Sequence, residues 1–266
     1  MRLVQKHVWL GPEYVRLAVK RETEYKFSFY TFVFHQIMTV VIWLIFWKVL
    51  LGKIGDFGQW GFPDMVLLTG FVTINMGIWL TFSAIWRLPR EILRGEFNTY
   101  LIKPVHPFLH FLFRRLNLRS WPRIAIGVVT LIYGLTAYDF EYEPVQIVLA
   151  GITSLLSFLT SFLPFAMVCL SAFWIGRAEF LRDLFVELFV FQNYPLTEFP
   201  SAFIFMFTFV FPIIFSATAP VLVLTRLSLG ASWGIVGLLV ALITAQILLF
   251  RVIWKRGLRR YESFGG

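Results

Sequence analysis

Long apolar runs constrain this chain more than any other feature, because about 20 consecutive apolar residues are what a helix needs to cross a bilayer. Five such runs are found, at residues 27–51, 63–86, 124–138, 144–176 and 233–254. The third is short and uses Arg123 and Asp139 as interfacial ends, and the fourth is long enough to tilt or to run past the surface. Between the second and third lies a segment of opposite character, residues 87–123, reading RLPREILRGEFNTYLIKPVHPFLHFLFRRLNLRSWPR. A membrane protein that keeps one such basic, proline-marked piece in water is suited to touching a soluble partner with it.

Composition removes several classes. At 58% hydrophobic residues and a mean hydropathy of +0.74, the chain is too apolar for a soluble domain. Its single cysteine, Cys169, excludes a disulfide within the chain and argues against a thiolate metal site. The net charge of +9 is expected at a membrane face, where basic residues set topology and meet anionic lipid, so nucleic acid is not an expected partner. The first 26 residues are charged and lack an apolar core, so no cleavable signal peptide is expected.

Residues 177–224 admit two readings. In one, 177–192 is an amphipathic surface helix and 201–224 a full span. In the other, 177–194 is the fifth span and 195–224 dips into the outer leaflet and returns. Pro195, Pro200, Pro212 and Pro220 favour the broken form, since proline removes a backbone donor and breaks helices. Irregular backbone at that depth must be covered by protein or reached by water. Either way six spans result, with both termini on one side.

Charge then fixes the side. Arg2, Lys6, Arg16, Lys20, Arg21 and Lys26 precede the first span, and eight basic residues lie in 87–123. Arg177 and Arg182 follow the fourth span, and Arg251, Lys255, Arg256, Arg259 and Arg260 end the chain. Only Lys48, Lys53 and Arg226 fall on the opposite side, so both termini are expected in the cytoplasm. Residues 1–26 form a cytoplasmic or interfacial segment in which Tyr14, Leu17, Ala18, Arg21 and Tyr25 recur at helical spacing, as in a helix lying on the inner surface.

Two catalytic signatures are absent: there is no GxxxxGK[ST] loop and no HExxH. His106 and His110 are four apart, but Pro107 separates them and no acidic or thiol ligand is near, so interfacial histidines are expected and a metal is not. Ionisable residues inside the spans are few, with His35 near the start of the first and Glu187 in the uncertain fifth, and they do not form the chain of groups a proton relay needs. Ala150, Ser154, Ser157 and Ser161 form a stripe of small residues, and Asn75 and Gln246 are polar enough to seek partners. These suit helix packing, with a substrate path as the other reading.

Inside 87–123, Pro89 suits a first helical turn, and 91–101 alternates Ile92, Phe97, Tyr100 and Leu101 with charged residues. Pro104 and Pro107 stop that helix, and a second amphipathic piece at 108–115 leads back through Trp121 and Pro122. Such a helix either transmits a push from a soluble motor or rests on headgroups.

Ile92-Leu93-Arg94-Gly95-Glu96, followed by Tyr100-Leu101-Ile102-Lys103-Pro104-Val105-His106-Pro107, resembles the I-R-x-G…L-x-x-P-V-x-P motif of a subgroup of ABC-2-type transporter permeases. Ala172-Phe173-Trp174-Ile175-Gly176-Arg177 and Tyr194-Pro195-Leu196-Thr197-Glu198-Phe199-Pro200 are similar to further motifs of that subgroup. Arg256-Gly257-Leu258-Arg259-Arg260-Tyr261-Glu262-Ser263-Phe264-Gly265 resembles its RGLRRYxSAG ending, with Phe264 replacing a small residue.

The resemblance implies an all-α domain over 1–266 with six transmembrane helices, an N-terminal interfacial helix, a coupling segment at 87–123 and a re-entrant extracellular hairpin at 195–225. It implies two ABC ATPase subunits that carry ATP and magnesium, a second permease of the same or a sister chain, and no cofactor on this chain. The ATPase-coupling role falls on Arg90, Glu91, Arg94, Gly95, Glu96, Phe97, Tyr100, Leu101 and Pro104. The expected function is export of an amphipathic, lipid-like or drug-like substrate across the cytoplasmic membrane. A secondary transporter or channel is the alternative.

Overall fold

The computed structural model describes residues 26–261 except Arg177, and all its regular elements are helical. The expected N-terminal interfacial helix lies outside the described residues, as do Arg177 and the last four residues of the C-terminal motif. Five helical stretches are long and apolar enough to cross a membrane: Phe29–Ile54, Phe62–Thr81, Leu118–Ala137, Pro144–Ile175 and Leu229–Arg260. They coincide with the five apolar runs.

Their ends follow local chemistry. Helix α1 is Lys26–Ile54 and α2 is Phe62–Thr81. Pro63 opens α2, and the Gly61 amide donates to Asp64 Oδ2 at 2.9 Å, using a donor the helix leaves free. After the connecting segment come α6, Trp121–Ala137, which starts on Pro122, and α7, Pro144–Leu170, which starts on Pro144. (Short helices α3 to α5 lie in the connecting segment described below.) Pro164 sits inside α7 without ending it. The last helix, α12, is Leu229–Arg260, capped by Ser228, whose hydroxyl accepts from the Ala231 amide. Its 32 residues extend about 48 Å, beyond a hydrocarbon layer of about 30 Å. The excess carries Trp254 and Tyr261 into the layer formed by residues 87–123.

Helix α2 is the centre: 78% of its apolar window is buried, against 17% for α1 and 11% for the last helix. It pairs with α6 through glycines at matching heights. Gly70 faces Leu131, Gly77 faces Ile124, Gly127 faces Ile74 and Gly134 faces Leu67. A Cβ on Gly127 would stand 2.9 Å from the Gly70 carbonyl oxygen, so the two backbones touch where no side chain fits. On its other side α2 bonds α7. Asn75 Nδ2 donates to Ser157 Oγ at 2.7 Å and to the Ser154 carbonyl at 3.4 Å, and Trp79 Nε1 donates to Ser161 Oγ at 3.0 Å. Gln246 Nε2 of α12 donates to the Thr160 carbonyl at 3.1 Å. Asn75, Ser154, Ser157, Ser161 and Gln246 are thus brought together along α7, between packed helices.

Residues 178–228 contain no long helix. Glu179–Leu188 (α9) tightens into a 3₁₀ turn at Phe189–Asn193. Ser201–Phe205 (α10) widens into a π turn at Met206–Val210, and Thr218–Thr225 is α11. A straight helix over 201–224 does not form, because Pro212 has no amide to continue the ladder and falls in the break. Two sets of bonds fix the course of this stretch. Arg182 Nη1 donates to the Trp86 carbonyl at 2.9 Å, just past the end of α2, while Trp60 Nε1 donates to Thr197 Oγ1 at 2.9 Å, just before its start. Residues 182–197 therefore run the length of α2. The chain then returns to the same end: Arg226 Nη2 donates to Asp64 Oδ2 and to the Gln59 carbonyl, both at 2.7 Å, and its guanidinium lies over the Trp60 ring at 4.7 Å. Between these anchors Phe211 reaches inward to Phe185, ring centroids 5.2 Å apart.

The glycine contact makes a first prediction. Gly127→Leu will force α2 and α6 apart and lower stability by about 1–3 kcal/mol, read as a lower midpoint of thermal unfolding in detergent. Gly151→Leu, in open space, will leave the midpoint unchanged.

Candidate functional site

The segment joining α2 to α6 folds on itself at the bundle's basic end. A 3₁₀ turn at Ser83–Arg87 leads into α3, Leu88–Leu93, with Pro89 in its first turn. Helices α4, Asn98–Leu101, and α5, Pro107–Arg114, follow. The single helix expected over 91–101 is therefore two. Gly95 takes φ +73°, a conformation that favours glycine, and its amide donates to the Ile92 carbonyl at 3.2 Å, ending α3. The Phe97 amide then donates to the Glu91 carbonyl at 3.2 Å. A turn at 94–97 is held against the helix it follows.

This fold divides the nine sequence-predicted residues. Glu91, Phe97 and Tyr100 are buried, Leu101 and Gly95 are half-buried, and Arg90, Arg94, Glu96 and Pro104 are exposed. Phe97 is the hub. Its ring centroid lies 5.5 Å from Tyr100, 6.2 Å from Phe111, 6.4 Å from Phe173, 6.0 Å from Trp254 and 6.1 Å from Tyr261. Phe173 belongs to α8, Ala172–Ile175, which continues α7 after a turn. Its ring covers Gly257 so closely that any Cβ there would overlap it. Three motifs distant in sequence, at 92–107, 172–176 and 256–261, are thus one aromatic cluster.

Electrostatics close the site from beneath. Glu91 forms an ion pair with Arg115, and its carboxylate also accepts from the Tyr100 hydroxyl. Burial, and then the adjacent Glu91 charge, push the Tyr100 phenol above its usual value, so it stays protonated as the donor. The stabilisation that follows is complete below pH 10 and is lost as pH rises beyond it. By contrast, Arg94 and Glu96 lie 3.8 Å apart with side chains 61% and 55% exposed, a surface pair of little energetic weight.

The outer face carries apolar residues that sequence reasoning missed. Ile102 is 79% exposed, and Leu93 and Leu109 are also exposed. Leu93 and Leu109 fall off the buried stripes of α3 and α5, and Ile102 follows the end of α4. Beside Leu93 opens a hollow of about 400 Å³ lined by Ile92, Leu93, Trp174, Ile175, Arg260 and Tyr261. A surface with apolar patches flanked by charge is the composition of a protein contact. His106 stacks on Trp254 at 5.6 Å and His110 meets Tyr100 at 5.7 Å. Among the described residues no group of three or more His, Cys, Asp or Glu could hold a metal.

Over residues 37–265 the sequence matches the family described as ABC-2 family transporter protein. The chain belongs to that family. The match takes in all three motifs of the aromatic cluster, so the cluster is part of an ABC-2 permease, the transmembrane subunit of an ABC transporter. An ABC-2 permease has no nucleotide site of its own and works with an ABC ATPase subunit. No curated protein and no solved structure matches this permease.

Removing the hub will show how far the cluster holds the segment. Phe97→Ala will cost about 3–5 kcal/mol, measured as a fall in denaturation midpoint of the purified permease. Glu91→Gln leaves Arg115 short of its partner but Arg115 is one-third exposed to solvent, so a smaller loss of about 1–3 kcal/mol is expected.

Proposed function

We propose that this permease exports an amphipathic, lipid-like or drug-like substrate across the cytoplasmic membrane, driven by ATP that two ATPase subunits hydrolyse with their own magnesium. A second permease, the same chain or a sister, completes the path. The turn at 94–97, the exposed Arg90, Arg94, Glu96 and Pro104, and the half-buried Leu101 form the face on which the ATPase bears. Gly95 sets the turn, while Glu91, Phe97 and Tyr100 act from behind it. The observation that carries this reading is the Phe97 cluster: it ties that face to the ends of α8 and α12, so displacement of the turn moves two membrane helices as a unit.

In this reading the chain crosses the membrane six times with both termini in the cytoplasm. The fifth crossing is α9 with its 3₁₀ extension, and residues 195–225 are a re-entrant hairpin on the outer side. The anchors of Arg182 and Thr197 at opposite ends of α2 support the crossing, and the bonds of Thr197 and Arg226 at one end support the hairpin. The excess of basic residues at the segment end supports the orientation.

Two experiments test these points. Co-purification with the cognate ATPase is expected to drop about tenfold or more when Arg90, Arg94 and Glu96 are all changed to alanine, as several contacts are lost at once. Retained ATPase binding and stimulation in a well-folded triple variant would remove the coupling assignment. For topology, Cys169→Ser gives a thiol-free background, since Cys169 is the only cysteine. Single cysteines at Thr99 and Arg114 are expected to react with an impermeant maleimide only in inverted vesicles, and cysteines at Glu198 and Ser228 only in right-side-out ones. Labelling of Thr99 and Glu198 from one side contradicts the six-crossing arrangement.

A further inference from the structure

A groove runs between α2 and the α9 helix from the basic end into the bundle. On α9 and the 3₁₀ turn that continues it, the wall is made by Asp183, Val186, Glu187, Val190 and Asn193. On the other side stand Val72, Met76 and Leu80 of α2, one turn apart. Two hollows that share Val186 make up its length. The mouth, about 460 Å³, is lined by Arg87, Arg90, Arg182 and Asp183 among others. The inner hollow, about 180 Å³, is lined by Arg123, Glu187, Gln192 and Asn193, with Trp43 of α1 beside them.

The inner hollow contains polar groups whose needs the chain does not meet. Gln192 is 1% exposed and its Oε1 has no hydrogen-bond partner. Arg123 Nε is buried and likewise unpartnered. Buried polar atoms are nearly always paired, and a buried charged group is costly unless something pairs with it. Arg182 is spoken for by Asp183 and the Trp86 carbonyl. The remaining groove charges are Arg87 and Arg90 at the mouth and Arg123 with the solvent-exposed Glu187 in the inner hollow, so the groove as a whole carries a net positive charge that attracts anions. At about 180 Å³ the inner hollow is below the size that takes a whole small molecule, but it admits a headgroup. Val190, 48% exposed at its edge, offers an apolar surface for the attached chains.

We infer that this groove seats the phosphate-bearing headgroup of an anionic amphiphile drawn from the leaflet at the basic end, with Arg123 as the inner cation and Arg87 and Arg90 at the mouth. The inference rests on the exporter reading above and narrows its substrate class to anionic amphiphiles.

The test uses the purified full-length permease with its ATPase, and native mass spectrometry to count bound molecules. Short-chain phosphatidylglycerol, short-chain phosphatidylcholine and inorganic phosphate are the probes. Phosphatidylglycerol should bind about tenfold more tightly than phosphatidylcholine, and Arg123→Gln should erase that preference. Arg123→Lys, which keeps the charge, should retain most of it, and Arg251→Gln, on an exposed face of α12, should leave it intact. Equal binding of the two lipids, or an unchanged preference in Arg123→Gln, overturns the inference. So does displacement of lipid by equimolar inorganic phosphate, which makes the ligand a soluble anion. ATPase co-purification is scored in the same samples. In the unmutated complex, absence of a lipid preference with the ATPase bound rejects the groove alone, whereas a lipid preference without the ATPase rejects the coupling reading alone.

Discussion

The backbone contact between α2 and α6 is the constraint from which the arrangement follows. Lipid tails are as apolar as leucine, so helices in a membrane gain little from burying greasy side chains against one another. Close packing and polar bonds must hold them instead. Glycines on both helices allow that approach, and it leaves the far side of α2 free to present Asn75 and Trp79 to the hydroxyls of α7. With α2 fixed between two neighbours, its two ends become reference points. Arg182 binds beyond one, and Trp60 and Arg226 bind beyond the other.

The basic end is built differently, from rings. Glu91, Arg115 and Tyr100 make a small polar network under the turn, and the cluster around Phe97 makes a rigid joint above the membrane helices. Packed aromatic groups of this kind transmit displacement because they have few alternative arrangements. The joint includes α12 only because that helix overshoots the hydrocarbon layer.

Much of this was legible beforehand, for physical reasons. Apolar length sets the spans, and prolines at 63, 122 and 144 set where helices begin, since both effects are local. The stop at Gly95 was not legible. One glycine in an amphipathic pattern is tolerated inside a helix at about 1 kcal/mol, so it does not announce a turn. Nor could the pattern reveal that Glu91 and Tyr100 face inward, because what buries them comes from α5 and from the distant α8 and α12. From the serine stripe alone, packing was favoured over a substrate path; that Asn75 bonds Ser157 depends on α2 lying beside α7, which the stripe does not reveal. The groove along α9 required knowing that α9 lies beside α2. Its only forewarnings were Glu187 in an apolar run and Arg123 at the edge of another.

The make-up of the aromatic joint also orders the protein's biogenesis. Phe97 and Phe111 emerge from the ribosome before Phe173, and Trp254 and Tyr261 emerge after all three. Until Trp254 and Tyr261 arrive, the rings of the connecting segment have no roof and remain wetted by solvent. The surface proposed for the ATPase is therefore completed only once α12 has emerged, and a chain cut short before α12 lacks it.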